Sequence, residues 1–351
     1  MCQSYRNFQE LEGGKYQVVL SSPEMCLKHS DFRKLLSSIK FSQMICSIIV
    51  DEAHCITQWG PQFRLEYADL GDIRAFAPHA PVLITSATLT PSSLDHARKI
   101  MQVDPSSSYH LMLGIDRPNI AWSVRHMARG KDFESLQFII PPPESSSSGP
   151  DVRRHLIPTM VFFDDISLAM SSMVYLRGFL PPMQHHEIAV YNSRHTPRAK
   201  KRVMKLFRSQ KIKILLTTEA AGMVSLRNLQ FSISYHFPTK GCDIPHVERV
   251  VQFTIPKSLD MWLQRGGRGG CDNSIHAEAI LLVQPSVFQE VSNKKGKTLE
   301  SQEDGANDSP HYRKEIHDGL RQWIEAIECR RDVVDEYYDS GVPRSGAPNL
   351  Y

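Results

Sequence analysis

Three features are missing from this 351-residue sequence: a long apolar run, paired cysteines and a strong excess of charge. No apolar run approaches the roughly 20 residues that cross a bilayer, and the N-terminus lacks a charged-then-apolar signal pattern. We therefore expect a soluble intracellular protein. The seven cysteines are scattered without a Cys-x-x-Cys pair, which predicts a reducing compartment and no cysteine-based metal site. Lys and Arg number 41 against 38 Asp and Glu, so the overall charge permits nucleic-acid binding without indicating it.

The sequence also contains no P-loop, the Gly-x-x-x-x-Gly-Lys-[Ser/Thr] pattern whose backbone N–H groups surround phosphates. Two Gly-Lys pairs come near the pattern and fail it. The pair at Gly14 has Gln9 where the first glycine is required, and the pair at Gly296 has Val291 there. We therefore expect no phosphate-wrapping loop within these residues.

A short apolar run that ends in two acids is the most informative stretch present. Residues 45–50 are rich in β-branched side chains, which predicts a strand buried in a parallel sheet. Asp51 and Glu52 follow at its carboxyl end, where such sheets bind ligands. In phosphoryl-transfer sites one acid holds Mg²⁺ through water, and a neighbouring polar group orients the attacking water. The simpler alternative is a polar turn after an ordinary strand.

Other apolar runs alternate with helical patterns, which predicts an α/β fold. The predicted strands are 16–20, 82–84, 159–163, 188–191, 212–216 and 249–253, and the predicted helices are 32–39, 167–180, 197–209 and a stretch within 312–338. The last stretch would place Leu320, Trp323, Ile324 and Ile327 on one apolar face. Residues 141–150 are too polar to pack a core and predict a surface loop.

Asp51-Glu52-Ala53-His54, followed by Cys-Ile-Thr-Gln-Trp-Gly and Phe-Arg-x-Glu-Tyr, resembles motif II and the aromatic-rich loop of the RecQ family of DNA helicases. Further likenesses follow in the family's order. They are Ser-Pro-Glu at 22–24 for motif Ib, Thr-Ser-Ala-Thr at 85–88 for motif III, residues 217–223 with 241–247 for motif V, and residues 264–271 for motif VI. The resemblance implies two RecA-like parallel-sheet domains of the P-loop NTPase type, the first incomplete, plus a short helical C-terminal extension.

The resemblance also divides the chain. Residues 1–118 would form a partial ATP-binding domain, 119–288 the second RecA-like domain, 289–313 a linker, and 314–351 a helical extension similar to the start of the family's zinc subdomain. In the family the P-loop precedes motif Ib, so we expect a chain shortened at both ends. Four thiolates close a structural zinc site, and Cys329 stands alone here, so zinc is not expected.

The resemblance implies ATP and Mg²⁺ as cofactors, with Asp51 holding Mg²⁺ through water. The residues that it makes catalytic are Asp51, Glu52, His54, Gln264 and Arg268. Those that it places at the nucleotide are Asp51, Glu52, Ser86, Thr88, Asp243 and Arg268. Arg268 matches the first arginine of motif VI, which in the family reaches across the interdomain cleft to the transferring phosphoryl group. Cys271 stands where the second arginine is expected, and this departure predicts weakened hydrolysis.

The expected partners are the nucleotide and DNA, as single strands or duplex junctions, with no membrane; protein partners are not indicated. The residues that the resemblance places at nucleic acid are Ser22, Pro23, Trp59, Phe63, Arg64 and Thr217. Trp59, Phe63 and Tyr67 could instead be core aromatics, although their polar Gly-Pro-broken segment favours stacking on bases. The basic helix 197–209 is either a solvated face or a DNA-facing one.

The implied function is ATP-dependent 3′-to-5′ DNA unwinding in recombination and repair, in the nucleus. One alternative is a catalytically inactive nucleic-acid-binding relative, because the P-loop is missing. Another is an α/β scaffold that binds neither nucleotide nor DNA.

Residues 224–240 interrupt the predicted motif V. Removing these seventeen residues joins Met223 to Gly241 and restores a continuous motif. Seventeen codons are 51 nucleotides, a multiple of three, so a retained intron of this length would not shift the reading frame. The pair Val224-Ser225 can be encoded by GTAAGT, a common sequence at the start of an intron. We therefore expect a translated, unspliced intron; the alternative is a tolerated surface insertion, since lengthening a loop costs little closure entropy.

Overall fold

The structure is a computed structural model that describes residues 8–59, 65–142, 153–218, 244, 246–272, 274–290, 312–342 and 344. The chain divides into two compact units. Of the described residues, the first unit holds 8–116 with 334–342 and 344, and the second holds 117–333. The predicted α/β fold is confirmed, whereas the predicted four-part division of the chain stays a prediction.

The first unit contains a two-stranded parallel sheet among its described residues. Strand β1 (Ile48–Val50) pairs with β2 (Val82–Ile84) in the register Ile48 to Val82 and Val50 to Ile84. The helices are α1 (Pro23–Lys28), α2 (Ser30–Leu36), α3 (Ile39–Met44), α4 (His54–Trp59), α5 (Leu65–Ala68) and α6 (Pro91–Ile100), with 3-10 helices at Leu70–Ala75 and Pro105–Ser107. One side of the unit buries Ile56, Tyr67 and Met101 beside β1. This packing fixes the start of α4 directly beyond the end of β1.

The second unit is built on a six-stranded sheet in which every described pair is parallel. Its strands are β3 (Ile120–His126), β4 (Thr159–Phe162), β5 (Ile188–Tyr191), β6 (Ile214–Thr217), β7 (Arg249–Phe253) and β8 (Ala277–Val283), in the order β3-β8-β7-β4-β6-β5. All residues of β4 and β6 are buried, as expected for central strands covered on both faces. The carboxyl ends of all six strands therefore meet at one edge of the sheet.

Helices of the second unit connect these strands and cover the sheet. They are α7 (Ile166–Arg177), α8 (Pro197–Arg208), α9 (Leu259–Gly266) and α10 (Asp318–Glu325), with 3-10 helices at Phe133–Ile139, Pro182–Glu187 and Pro285–Val287. Helix α11 (Arg330–Tyr337) follows α10. Trp122 on β3, Trp262 on α9 and Trp323 on α10 form a cluster with ring centroids 5.4 to 6.3 Å apart. Residues of the predicted helical extension thus belong to the core of this unit.

Three predictions about the elements are wrong. The run 45–50 is not a strand buried on both faces: only residues 48–50 form β1, and Ile49 is 59% exposed, because the two-stranded sheet leaves one face of β1 uncovered among the described residues. Residues 16–20 form no strand and show only an isolated bridge at Leu20. In the described sheet β1 pairs with β2 alone, so residues 16–20 have no neighbouring strand with which to form backbone hydrogen bonds. The stretch 312–338 is not one amphipathic helix, since α10 ends at Glu325 and α11 begins at Arg330. Ile327 lies in the break between them and is 100% exposed, so it does not share the buried face of Leu320, Trp323 and Ile324.

No helix within the described ranges is long and apolar enough to cross a membrane.

Candidate nucleotide and nucleic-acid site

Asp51 and Glu52 lie at the carboxyl end of β1, as the sequence predicts. Asp51 Oδ1 accepts hydrogen bonds from the Glu52 backbone N–H and from the Thr85 hydroxyl, both at 2.9 Å. Glu52 has a φ of 53°, a left-handed backbone that is uncommon for residues other than glycine. Strained backbone of this kind is concentrated at functional sites. The bond to the Asp51 carboxylate helps to hold this turn, and Thr85 ties it to the end of β2.

His54 joins the predicted motif II to the predicted motif III. This buried side chain places Nδ1 3.0 Å from Ser86 Oγ and 3.2 Å from Glu52 Oε2. The Ser86 hydroxyl also lies 3.1 Å from the Thr88 carbonyl, where it can donate its proton. His54 Nδ1 therefore lies between the acidic turn and the predicted motif III, and the direction of its bond to Ser86 depends on which ring nitrogen carries the proton.

Thr57 on α4 extends this network. Its hydroxyl donates to the His54 carbonyl at 3.0 Å and lies 3.3 Å from Ser93 Oγ. Ser93 is in turn 3.0 Å from the hydroxyl of Thr90, the N-cap of α6. Small hydroxyls therefore link the acidic turn to the start of α6, a polar relay confined to the first unit. The sequence prediction included Ser86 and Thr88 but assigned no role to Thr57 or Thr85.

A cavity of about 620 Å³ opens beside β1 and is lined mainly by apolar side chains. Its lining includes Asp51, Ser22 and Pro23. Ser22 is the N-cap of α1 and accepts from the Met25 N–H at 3.3 Å, while Pro23 occupies the first turn. The predicted motif Ib residues and the first acid of motif II therefore line the same cavity.

The predicted aromatic segment is described only in part. Trp59 is the last residue of α4, so the segment begins as a helix rather than as a loop. Tyr67 is buried and packs in the core beside Ile56, so stacking of Tyr67 on bases is excluded. The side chain of Trp59, and Phe63 and Arg64 altogether, lie outside the described residues, and their DNA contact stays a prediction.

In the second unit, the predicted site residues come from two segments of the chain. Thr217 ends β6 and is fully buried; its hydroxyl lies 3.0 Å from the Tyr191 carbonyl and 2.8 Å from that of Thr218. This burial leaves no surface of Thr217 for DNA in the structure, so its predicted contact is not borne out in this conformation. Gln264 and Arg268 lie on and just after α9, and both are partly exposed. Asp243 lies outside the described residues.

Arg117 and Asn119 hold the backbone of the glycine- and arginine-rich segment at 267–271. Arg117 donates to the carbonyls of Gly267 at 3.2 Å and Gly270 at 2.7 Å. The Asn119 amide donates to the same Gly270 carbonyl at 2.8 Å. The sequence prediction did not assign a role to these two residues. The Arg-Pro-Asn sequence immediately before a predicted strand is the pattern that could have pointed to them. They position the turn that carries Arg268.

Arg265 is a third residue of this site that the sequence prediction did not assign. Its guanidinium donates to Asp164 Oδ1 at 2.8 Å and to Gln252 Oε1 at 2.7 Å, and it lies over the Phe162 ring at 5.6 Å. Arg265 is 6% exposed. This arginine therefore ties α9 to the ends of β4 and β7 and is a structural neighbour of Arg268. Cys271, at the position of the second motif VI arginine, directs its thiol to the Arg268 carbonyl at 3.4 Å.

Asp51 and Glu52 are oxygen ligands of the kind that Mg²⁺ prefers, and the exposed Asp51 carboxylate fits a water-mediated site. Among the described residues, no group of three or more His, Cys, Asp or Glu side chains could hold a metal ion directly. The first unit therefore presents two acids that fit a water-mediated Mg²⁺, whereas the sequence contains no P-loop.

Comparison with known proteins matches two families. Residues 3–97 match the DEAD/DEAH box helicase family, and residues 155–273 match the helicase conserved C-terminal domain. The chain is 25% identical over 336 residues to ATP-dependent DNA helicase RecQ of Haemophilus influenzae, covering 94% of this chain and 45% of that protein. It is 28% identical over 283 residues to the RecQ helicase of Pasteurella multocida, covering 80% of this chain and 37% of that protein. The chain thus spans less than half the length of these relatives.

Among solved structures, the helicase MrfA bound to DNA matches with a TM-score of 0.52 at 12% identity, covering 81% of this chain and 36% of that one. This likeness shows a shared helicase fold. The two family matches and the RecQ relatives support a RecQ-like helicase of superfamily 2.

Proposed function

We propose that this protein acts in the ATP-dependent unwinding of DNA with 3′-to-5′ polarity, in recombination and repair, and that the missing P-loop impairs this activity in the 351 residues themselves. The observation that carries the proposal is the place of His54, whose Nδ1 lies 3.0 Å from Ser86 Oγ and 3.2 Å from Glu52 Oε2. This proximity lets a change at the acidic turn reach Ser86 and the hydroxyl network beyond it. Coupling of nucleotide chemistry to movement along DNA requires a physical link of this kind.

The residues of the first unit have separate tasks in this proposal. Asp51 would hold Mg²⁺ through water, and the ion would neutralise phosphate charge when bound. Glu52 orients the attacking water and takes up its proton, with His54 and the strained turn fixing the direction of its carboxylate. Ser86 and Thr88 relay the state of this turn by hydrogen bonds. ATP is the nucleotide proposed, as in the relatives' names.

In the second unit, Arg268 is the residue proposed to stabilise charge on the transferring phosphoryl group, with Gln264 beside it. Arg117 and Asn119 fix the turn from which Arg268 projects. A guanidinium at a phosphate is effective only when its position is set in advance. The three bonds to Gly267 and Gly270 provide this positioning. Asp243 is proposed at the nucleotide on the resemblance alone.

DNA is the proposed partner, as single strands and duplex junctions. Ser22 and Pro23 would contact the backbone, with Arg64 on a phosphate or base plane, and stacking by Trp59 and Phe63 should be worth about 1–3 kcal/mol per base. We expect a Trp59→Ala, Phe63→Ala double variant to lose this affinity for single-stranded DNA, measured by fluorescence anisotropy. Unchanged binding would assign both aromatics to the core and remove this part of the proposal.

A second candidate function is nucleic-acid binding without turnover. It is favoured by the missing P-loop and by Cys271, a neutral thiol that contacts the Arg268 carbonyl where the family has an arginine. Loss of a phosphate cradle should cost several kcal/mol in the transition state. We place either function in the nucleus, on the family resemblance alone.

The genomic DNA immediately upstream of the Met1 codon distinguishes the two candidates. An in-frame Gly-x-x-x-x-Gly-Lys there would support the helicase, and the protein carrying it should unwind a duplex with a 3′ tail in preference to one with a 5′ tail. An in-frame stop codon without this pattern would favour the binding protein. Unwinding of the 5′-tailed duplex alone would contradict the proposed polarity.

A further inference from the structure

Residues 188–218 of the second unit have an unusual charge composition. They contain nine Lys and Arg and no Asp or Glu. The chain's net charge of +3 is therefore the sum of +9 here and −6 in the remaining residues. A nearly neutral total thus conceals one strongly basic stretch, and the overall composition could not reveal it.

Five of the cations share one side of helix α8. Spacings of three, four, seven and ten residues place them within an arc of roughly 120° on the helix surface. This set, here called the basic face, consists of Arg198, Lys201, Arg202, Lys205 and Arg208, and all five residues are exposed. The opposite side buries Met204 and Phe207. Packing of this apolar side directs the basic face to solvent.

The basic face is not neutralised within the described part of the chain. None of its five side chains forms an ion pair or hydrogen bond with another described residue. Like charges three and four residues apart on a helix repel each other, and no carboxylate from residue 188 to 218 relieves that repulsion. A bound polyanion would relieve it, which indicates a ligand rather than a structural role.

The dimensions of the basic face suit a nucleic-acid backbone. The helix rises about 15 Å over the ten steps from Arg198 to Arg208. Duplex DNA carries one charge per 1.7 Å of axis, so this length spans about four or five phosphates on each strand. Helix α8 packs on β5, the outermost strand of the sheet, and β6, β4 and β7 separate β5 from β8. The surface is therefore separate from the turn that carries Arg268.

The side chains present favour duplex over single strands or membranes. The only Phe, Trp or Tyr from residue 192 to 213 is Phe207, which is buried, so the surface has no platform on which bases could stack. An amphipathic helix that binds a membrane surface adds apolar side chains that enter the lipid to its attraction for anionic lipids. Here Met204 is also buried, and Val203 and Leu206 are only partly exposed.

We propose that the basic face of α8 binds the sugar–phosphate backbone of duplex nucleic acid, without reading its sequence. The proposal deepens the proposed function, because DNA is the substrate there, but it does not depend on ATP turnover. Lysines and arginines that neutralise phosphates release counterions, so their contribution is visible as the salt dependence of binding.

The test measures binding of the 351-residue protein, without added nucleotide, to a blunt-ended duplex of mixed sequence. Fluorescence anisotropy gives the affinity at several salt concentrations. The variant is Lys201→Gln, Lys205→Gln, Arg208→Gln. Its matched control is Arg129→Gln, Lys131→Gln, Lys257→Gln, which removes the same charge from exposed residues of the same unit outside α8. Circular dichroism should show both variants folded, because all six side chains are exposed.

For the α8 variant we expect the slope of log affinity against log salt to fall by about 3, and affinity at 0.15 M salt to fall roughly 100-fold. The control should change affinity less than about 3-fold. An unchanged slope, equal losses in the two variants, or binding to phosphatidylserine vesicles without duplex binding would each overturn the proposal. Failure of the Trp59 and Phe63 test would leave this slope untouched, so the two proposals fail separately.

Discussion

At the scale of single residues, Arg265 makes the sharpest prediction for the second unit. Replacing it with Gln removes its charged hydrogen bonds to Asp164 and to the fully buried Gln252. We expect a loss of about 2–3 kcal/mol in the free energy of unfolding. Three of the four tryptophans lie in this unit, so urea unfolding followed by tryptophan fluorescence reports mainly on it.

The control for Arg265 is an exposed ion pair of the same sheet. Arg249 Nε lies 3.0 Å from Glu278 Oε2, and the Glu278 side chain is 52% exposed. Glu278→Gln should therefore cost no more than about 1 kcal/mol. Equal losses in the two variants would mean that the contacts of Arg265 do not stabilise the fold as the geometry indicates.

Single residues also show what the sequence could and could not predict. Asp51, Glu52 and His54 are close in sequence to a strand end, so a local pattern was enough to place them together. Arg117 contacts Gly267 across 150 residues of chain, and Arg265 contacts Asp164 across 101. No local pattern contains such distant pairs, because the sheet order that brings them together is set by the packing of the whole unit.

At the scale of elements, the contact between α9 and β3 depends on a glycine. A Cβ at Gly266 would lie 2.3 Å from Trp122 Cζ3, whereas a Cβ at Gly130 would meet nothing within 4 Å. We expect Gly266→Ala to destabilise the second unit by about 1–3 kcal/mol through displacement of the tryptophan cluster. Alanine ordinarily stabilises a helix relative to glycine, so the sign of the change in unfolding free energy tests this packing.

Gly130→Ala is the matched variant, and its unfolding free energy should change by no more than about 0.5 kcal/mol. Thermal unfolding followed by near-UV circular dichroism measures both variants and reports directly on tryptophan packing. A stabilising Gly266→Ala would show that α9 and Trp122 do not approach each other as described.

Helix α10 gives a prediction about the C-terminal segment. Trp323 is 1% exposed in the core of the second unit, while Ile327, four residues later, is fully exposed. Trp323→Ala should cost about 3–5 kcal/mol of unfolding free energy, and Ile327→Ala should leave it unchanged within about 0.5 kcal/mol. Chemical denaturation of both variants checks this. The reverse order would restore the continuous amphipathic helix that the sequence predicted.

Several of the elements were predictable from the positions of their apolar residues. Strands β5 and β7 match their predicted bounds, and α8 differs from its prediction by one residue. Residues 16–20 look like a strand by composition, but a strand forms only when a neighbour completes its hydrogen bonds. The break after Glu325 was hidden because the apolar spacing of Ile327 continues the pattern of α10 although its side chain is solvent-exposed.

At the scale of the whole molecule, residues 224–240 remain the largest departure from the family pattern. We predict that they are a translated intron of 51 nucleotides, because their removal makes motif V continuous. Inserted residues between the strand and the site would displace the groups that this motif positions. Sequencing of the mature transcript tests this. A message that retains these nucleotides throughout would contradict it and leave a tolerated surface insertion as the explanation.

The central claim for the molecule is that these 351 residues hold an acidic turn and an arginine turn similar to those of RecQ helicases, without the loop that surrounds phosphates. Both turns are built into their own units by hydrogen bonds, at Asp51 to Thr85 and at Arg117 to Gly270. Preorganised groups within each turn cannot replace the missing N–H groups, which contribute several kcal/mol to the transition state.

DNA-stimulated ATP hydrolysis by the 351-residue polypeptide tests this claim most directly, with Glu52→Gln as the reference. We predict that the wild-type chain hydrolyses ATP no faster than the variant while it still binds DNA. Turnover of roughly 1 s⁻¹ or more, abolished by Glu52→Gln, would contradict the claim and show that another part of this chain holds the phosphates.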